Sequence, residues 1–195
     1  MLRNRRRFVR LLQLAYSGEL GAAIAYQGHA ASVRDPAERE HILLIRAEEL
    51  DHRACVGRIL SQVGGRPDPL LELRNRCVGT SIAFFCRVGG WFAPMYGAGW
   101  IEALNIREYE RAARLAALSG LAVFADELLD LAEVEWEHER YFRLKAAGHP
   151  LARLLKVWPA PPPKAAIRGS YAEFARSLSP APVRRAARAQ RGAIA

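Results

Sequence analysis

The sequence predicts an all-α protein, a four-helix bundle with a long apolar helical crossover and a Pro-rich basic C-terminal tail. Three observations carry this. Alanine, leucine, arginine and glutamate dominate the composition, while valine, isoleucine and threonine are too scattered to mark a series of alternating strands. Apolar residues recur at helical spacing in several long stretches. The pattern Glu-x-x-His, which puts a carboxylate and an imidazole on one helix face, occurs at Glu38/His41, Glu49/His52 and Glu135/His138. Fifteen glutamates and five histidines placed at random would give roughly 0.4 such pairs.

In chain order, Phe8, Leu11, Leu12, Ala15, Ala22, Ile24 and Ala25 predict a first helix from about Arg3 to Val33. Asp35 offers an N-cap, Pro36 suits the first helical position and Glu38 stands where a capping carboxylate would. A second helix is therefore expected to run to Gly64-Gly65 and Pro67. The stretch from Arg66 to about Gly99 reads as a crossover containing its own helix, interrupted around Arg87, Gly89, Gly90 and Pro94. A further helix is expected from about Trp100 to Leu118, a turn at Ser119-Gly120, and another helix from about Ala122 to Ala147, ended by Gly148-His149-Pro150. Pro159-Ala160-Pro161-Pro162-Pro163 is a stiff extended linker, followed by a short helix over Tyr171 to Leu178 and final residues expected to be disordered. The 195 residues thus divide into a bundle over 1–150 and a linker and tail over 151–195.

Cys55, Cys77 and Cys86 form no C-x-x-C pair, which argues against a disulfide framework or a thiolate zinc site and fits a reducing cytoplasm. The start Arg5-Arg6-Arg7-Phe8-Val9-Arg10 has the look of a twin-arginine signal, but Gln13 and Glu19 interrupt the apolar stretch after it. No run of ~20 apolar residues suggests a conventional membrane span. The net charge of +9 gathers at the ends, in Arg3, Arg5, Arg6, Arg7 and Arg10 and in Arg184, Arg185, Arg188 and Arg191. Such ends attract anionic surfaces, phospholipid or nucleic acid, without choosing between them.

Hairpin geometry gives the Glu-x-x-His pairs meaning, because residues equally far from a turn lie at one height. Glu19 is fifteen residues before Arg34 and Glu49 fifteen after it. Glu102 and Glu135 lie about equally far on either side of Ser119-Gly120. Each hairpin sets a single glutamate against one Glu-x-x-His, the ligand set of di-iron and di-manganese carboxylate bundles, which are ferritin-like. Glu19, Glu49, His52, Glu102, Glu135 and His138 are thus the expected ligands of two metal ions. Oxygen and nitrogen donors suit iron or manganese, although affinity alone would also admit zinc. Glu108 is the rival to Glu102, six residues nearer the turn, a displacement of ~9 Å. Glu38/His41 faces His29 and Ala30 across the turn, with no carboxylate there, and reads as a capping feature. Asp51 and Glu137 either accept the ring N–H of the histidine on the other motif or are ordinary surface charges.

At this point the chain resembles the demethoxyubiquinone hydroxylases, ferritin-like enzymes of ubiquinone biosynthesis. Ser17-Gly18-Glu19-Leu20-Gly21-Ala22, Glu49-Leu50-Asp51-His52 and Glu135-Trp136-Glu137-His138 look like that family's motifs, and Arg66-Pro67, the apolar crossover and Glu102 with Tyr109 seven residues on also match. The resemblance covers about residues 10 to 150. It departs at Glu108, where the family pattern has a histidine, and in the basic tail. It implies an O2-dependent di-iron monooxygenase hydroxylating a lipophilic quinone-like molecule with electrons from an external donor. Glu49 and Glu135 would bridge the irons, His52 and His138 would cap one each, and Glu19 and Glu102 would be terminal ligands. Tyr109 would donate a hydrogen bond near the metals or relay an electron, or else be a buried structural tyrosine.

The crossover residues Phe84, Phe85, Trp91, Phe92, Met95, Tyr96 and Trp100 form either the wall of a greasy channel, a face lying on the inner membrane surface, or core and homo-oligomer packing. Two other functions stay open. One is ferritin-like or rubrerythrin-like iron oxidation or peroxide removal. The other is a non-enzymatic bundle binding membrane or nucleic acid through its arginine-rich ends.

Overall fold

The computed structural model describes residues 2–155 and 157–178. Its helices are α1 (Leu2–Ser32), α2 (Pro36–Gln62), α3 (Pro69–Val88), α4 (Phe92–Leu118), α5 (Ala125–Ala147) and α6 (Ala165–Leu178), with short 3-10 turns at Ala122–Phe124 and Pro150–Arg153. The architecture is an all-α helical bundle. α1 pairs with α2 and α4 with α5 as two hairpins, and α3 lies along α1.

Local chemistry sets the boundaries. The Asp35 carboxylate accepts from the N–H of Ala37 at 2.8 Å and of Glu38 at 3.0 Å, with Pro36 in the first helical position. Asp68 repeats the device for α3, accepting from Leu70 at 3.0 Å and Leu71 at 3.3 Å ahead of Pro69. α4 begins at Phe92 rather than near Trp100. The expected break at Pro94 does not occur because Pro94 is the third residue of the helix, where an N–H would have no intrahelical acceptor. Asp35 alone does the capping: Glu38 instead accepts from Trp91 Nε1 at 2.8 Å and Lys145 Nζ at 2.7 Å, tying α2 to α4 and α5. His41 packs on Tyr141 with the rings tilted by 31° and their centroids 3.9 Å apart.

α1 and α3 approach closely enough that a Cβ on Gly28 would fall in the backbone of Ala83, and one on Gly79 in the backbone of Gly21. Two apolar cores occupy the two ends of the bundle. One gathers Phe8, Leu12, Ile59, Leu60 and Leu128, the other Tyr26, Ile42, Ile45, Met95 and Phe142. Between them lies a belt of buried charge.

The segment after the bundle folds back on it. Trp158 is buried and donates to Glu139 Oε1 at 2.6 Å, Trp136 donates to the Pro162 carbonyl at 2.9 Å, and α6 buries Ile167 in the first core. Arg168 pairs with Glu133 at 2.7 Å and with Asp130. α6 starts at Ala165, earlier than the expected Tyr171. The arginines expected in the tail, Arg184 to Arg191, lie outside the described residues. No helix of the described residues is long and apolar enough to cross a membrane.

Candidate metal centre

Each of the four central helices turns one inward face toward the belt between the cores. α1 contributes Glu19, α2 Glu49 and His52, α4 Glu102, and α5 Glu135 and His138. None is more than 4% exposed. Four carboxylates so buried would be costly without compensating charge or protons.

The six residues fall into two overlapping groups, Glu19, Glu49, His52, Glu135 and Glu49, Glu102, Glu135, His138, each offering ligand atoms within 4.8 Å of one another. Glu49 and Glu135 belong to both. His52 Nδ1 lies 3.1 Å from Glu135 Oε1, and His138 Nδ1 lies 3.3 Å from Glu49 Oε1 and 3.6 Å from Glu135 Oε2. Among the described residues, both oxygens of Glu49, Oε2 of Glu135 and Nδ1 of His138 have no hydrogen-bond partner despite full burial. Orphaned acceptors converging in this way fit cations. Four carboxylates and two neutral imidazoles balance two divalent ions, and the mixed oxygen and nitrogen set suits iron or manganese.

The electrostatics carry the same strain. Burial, then the charge of Glu49, pushes the Glu19 carboxyl well above the usual range, and burial followed by the charge of Glu135 does the same to Glu102. Glu49 is raised to about 8, by burial and then Glu135. Burial opposes ionisation of Glu135 too, but the neighbouring rings of His138 and His52 outweigh it and hold this carboxyl low. Burial likewise disfavours charged rings at His138 and His52, yet the carboxylates of Glu135, Glu48 and Glu49 close to His138 raise it strongly, and Glu135 outweighs burial to raise His52. Carboxyls raised by burial beside imidazoles raised by carboxylates are the signature of a space short of positive charge, which a metal ion would supply.

Residues around this belt hold its members in place. The hydroxyl of Tyr109 on α4 donates to Glu19 on α1, and that of Tyr26 on α1 donates to Glu102 on α4. The two pairs are related by a pseudo-twofold that exchanges the hairpins. Asn105 Nδ2 donates to the other Glu102 oxygen at 2.8 Å, and the Tyr109 ring meets His52 edge-on at 6.0 Å. His138 Nε2 faces Glu48 Oε2 at 2.7 Å, so in the neutral ring an Nε2–H engaged there would leave the Nδ1 lone pair to the cluster.

Asp51 and Glu137 do not fill the place expected for them. Asp51 is exposed, and Glu137 pairs with Lys164 at 3.0 Å. At ~100° per residue, a side chain two positions beyond an inward glutamate points ~200° away from it, to the outside. Glu48, one position before Glu49, stays ~40° from His52 on the wheel and reaches the rim of the site. Glu108 belongs to neither ligand group.

A cavity of about 620 Å³ between α1, α3 and α4 reaches Glu19, Tyr26, Glu102 and Tyr109. Its walls are mostly small or aliphatic, with Gly18, Ala22, Gly97, Ala98, Ile82 and Ile101 among them. Of the large apolar crossover residues, Phe85 lines it, while Trp91, Phe92, Met95 and Tyr96 pack into the cores and Phe84 and Trp100 face outward.

No family model matches the chain, and no solved structure matches it. The chain is similar to proteins named 3-demethoxyubiquinol 3-hydroxylase. That of Bordetella parapertussis is 40% identical over 68 residues, 35% of this chain and 31% of the relative. That of Paracidovorax citrulli is 32% identical over 100 residues, 51% of this chain and 40% of the relative. That of Francisella tularensis subsp. novicida is 38% identical over 60 residues, 31% of this chain and 28% of the relative. The chain therefore spans well under half the length of the relatives it matches.

Proposed function

We propose, from the similarity to 3-demethoxyubiquinol 3-hydroxylases and the site's own geometry, that the chain is an O2-dependent hydroxylase acting on the ring of a lipophilic quinone-like molecule. The observation that carries this reading is the apolar cavity opening directly on Glu19 and Glu102. Two irons, or manganese in their place, would be held by Glu19, Glu49, His52, Glu102, Glu135 and His138. Metals bound there would supply the reduction of O2, so that one oxygen atom would enter a ring C–H bond and the other would leave as water with two electrons and two protons from an external donor.

The protein's own part is positioning and exclusion of water. Tyr26, Tyr109 and Asn105 hold the terminal carboxylates by donated hydrogen bonds. Both phenols are kept neutral, raised by burial and then by the glutamate each faces, so each keeps the proton it donates. Glu48 orients His138. The greasy wall suits an apolar substrate better than a stream of hydrated Fe(II), which favours hydroxylation over ferritin-like iron oxidation. The test is a single turnover: protein loaded anaerobically with Fe(II), mixed with a short-chain demethoxyubiquinol and exposed to 18O2. A product heavier by one labelled oxygen is expected. Iron oxidation with the quinol recovered unlabelled would replace this reading by the ferroxidase one.

A peripheral position on the cytoplasmic membrane face is the reading that the outer surface supports. Leu70, Leu73, Phe84, Phe85 and Val88 on α3 and Trp100 and Leu104 on α4 are exposed apolar side chains, interleaved with exposed Arg74, Arg76, Arg87 and Arg107. An apolar patch ringed by arginine suits an anionic lipid interface. The chain should float with liposomes containing anionic lipid, and Phe84→Ser with Phe85→Ser should reduce the floated fraction several-fold. Equal flotation of wild type and double variant would remove this surface from consideration.

A further inference from the structure

The cavity has a direction. Tyr109 meets Glu19 and Tyr26 meets Glu102, so α4 runs antiparallel to α1, and Glu108 stands level with Gly18 and Glu19. Asn75 of α3 packs on Gly21, within ~5 Å of that level along the α1 axis. On α4, Pro94, Ala98, Ile101, Asn105 and Glu108 form one stripe along the cavity, apolar at its start and polar at its end. The apolar end opens between the end of α3 and the start of α4, at Phe85 and Val88, which are 64% and 66% exposed.

The polar groups at the other end share one chemistry. Asn75 Nδ2 already donates to the Leu71 carbonyl at 3.2 Å, and Asn105 Nδ2 to Glu102 at 2.8 Å; each amide keeps a second N–H, and no described residue donates to either amide oxygen. The hydroxyls of Tyr26 and Tyr109 are committed as donors to glutamates. Glu108, half-buried, has no hydrogen bond with any described residue; burial raises its carboxyl, and the charge of Arg111 opposes that rise. This end therefore offers acceptors in want of donors. His29, whose Nε2 lacks a partner, lies toward the apolar end, ~12 Å further along α1 than Gly21.

We propose that Glu108, with Asn75 and Asn105, selects the reduced form of an aromatic head group. It would accept the hydroxyl hydrogen of a hydroquinone while the apolar substituent leaves past Phe85 and Val88. A quinone of the same shape presents only carbonyl acceptors, and pairing these with a carboxylate leaves both desolvated and unpaired. The proposal rests on the quinone-cavity reading above but adds a specificity-determining residue to it.

The test is isothermal titration of the full chain under nitrogen with a decyl-substituted benzohydroquinone and, separately, the corresponding benzoquinone. Wild type should bind the hydroquinone about tenfold or more tightly, a preference that Glu108→Gln, whose amide can donate, should reduce to within about threefold while still binding both. Asn75→Leu, which removes a second acceptor at a different helix, should weaken hydroquinone binding selectively and keeps the test available if the Glu108 variant loses its helical circular dichroism. A preference unchanged in both variants would overturn the role assigned to Glu108 and leave the cavity reading intact. Failure of wild type to bind either probe would overturn the cavity reading itself.

Discussion

Glu135→Ala should leave anaerobically purified protein without stoichiometric metal, where the wild type should carry about two ions per chain by the four-carboxylate, two-imidazole count. Glu135 belongs to both ligand groups, so its loss removes a donor from each at once. It is also the acceptor facing His52 at 3.1 Å, and without it that ring loses the partner that orients it. The loss in affinity should exceed the ~10–100-fold typical of an outer-shell change. Glu108→Ala and Asp51→Ala, outside both groups, should keep their metal. Elemental analysis of the three variants, with circular dichroism to confirm the bundle, decides the matter. A Glu135→Ala protein that keeps its iron or manganese would remove the six-residue assignment.

The helices were legible where their ends depend on local chemistry. Asp35-Pro36 starts α2 in the structure as the sequence implies, because a capping carboxylate and a proline in the first turn act without help from distant residues. Reading failed where position within the helix decides the effect. Pro94 is a breaker in mid-helix and harmless as the third residue, and nothing nearby in sequence says which it is until Phe92 is known to begin α4. Glu38 has the spacing of a capping-box partner, yet Trp91 and Lys145 claim it, a tertiary contact across 53 and 107 residues. The earlier start of α6 is of the same kind, since Ile167 is drawn into the core of the bundle.

The convergence of Glu19, Glu49, His52, Glu102, Glu135 and His138 was legible because antiparallel register is arithmetic once the turns are located. The surrounding residues were less so. Tyr26 could have been found: Glu19/Tyr26 and Glu102/Tyr109 share one seven-residue spacing, and the pseudo-twofold that pairs the hairpins pairs these too. Glu48 could also have been found, by counting angles around α2 instead of choosing the acid next to His52. Asn105 and the cavity could not, because they depend on how closely α3 and α4 approach α1, set by contacts such as Gly28 on Ala83.

Chelated free of metal, the protein should lose stability as pH rises from 6 to 9. The carboxyls of Glu19, Glu49 and Glu102 are raised in the folded state, by burial first and then by the neighbouring carboxylates. In the unfolded chain they titrate near ~4.3, so above that value the folded state holds protons the unfolded state has released. Their contribution is fully present below the unfolded value and is lost as pH climbs through the folded values, for Glu49 about 8. His52 and His138 are also raised and act with the same sign above ~6.5. Glu135 is lowered, so its contribution is lost only on acidification, below this window. Each extra proton held by the folded state costs about 1.4 kcal/mol per pH unit. Metal reverses the sign, because two divalent ions displace these protons and their apparent affinity grows with pH. Urea unfolding at pH 6, 7 and 8 should therefore show the midpoint of the chelated protein falling while the stabilisation added by metal rises. A chelated protein equally stable at all three values would mean that the buried glutamates are ionised and paired without metal, against the orphaned oxygens of Glu49 and Glu135.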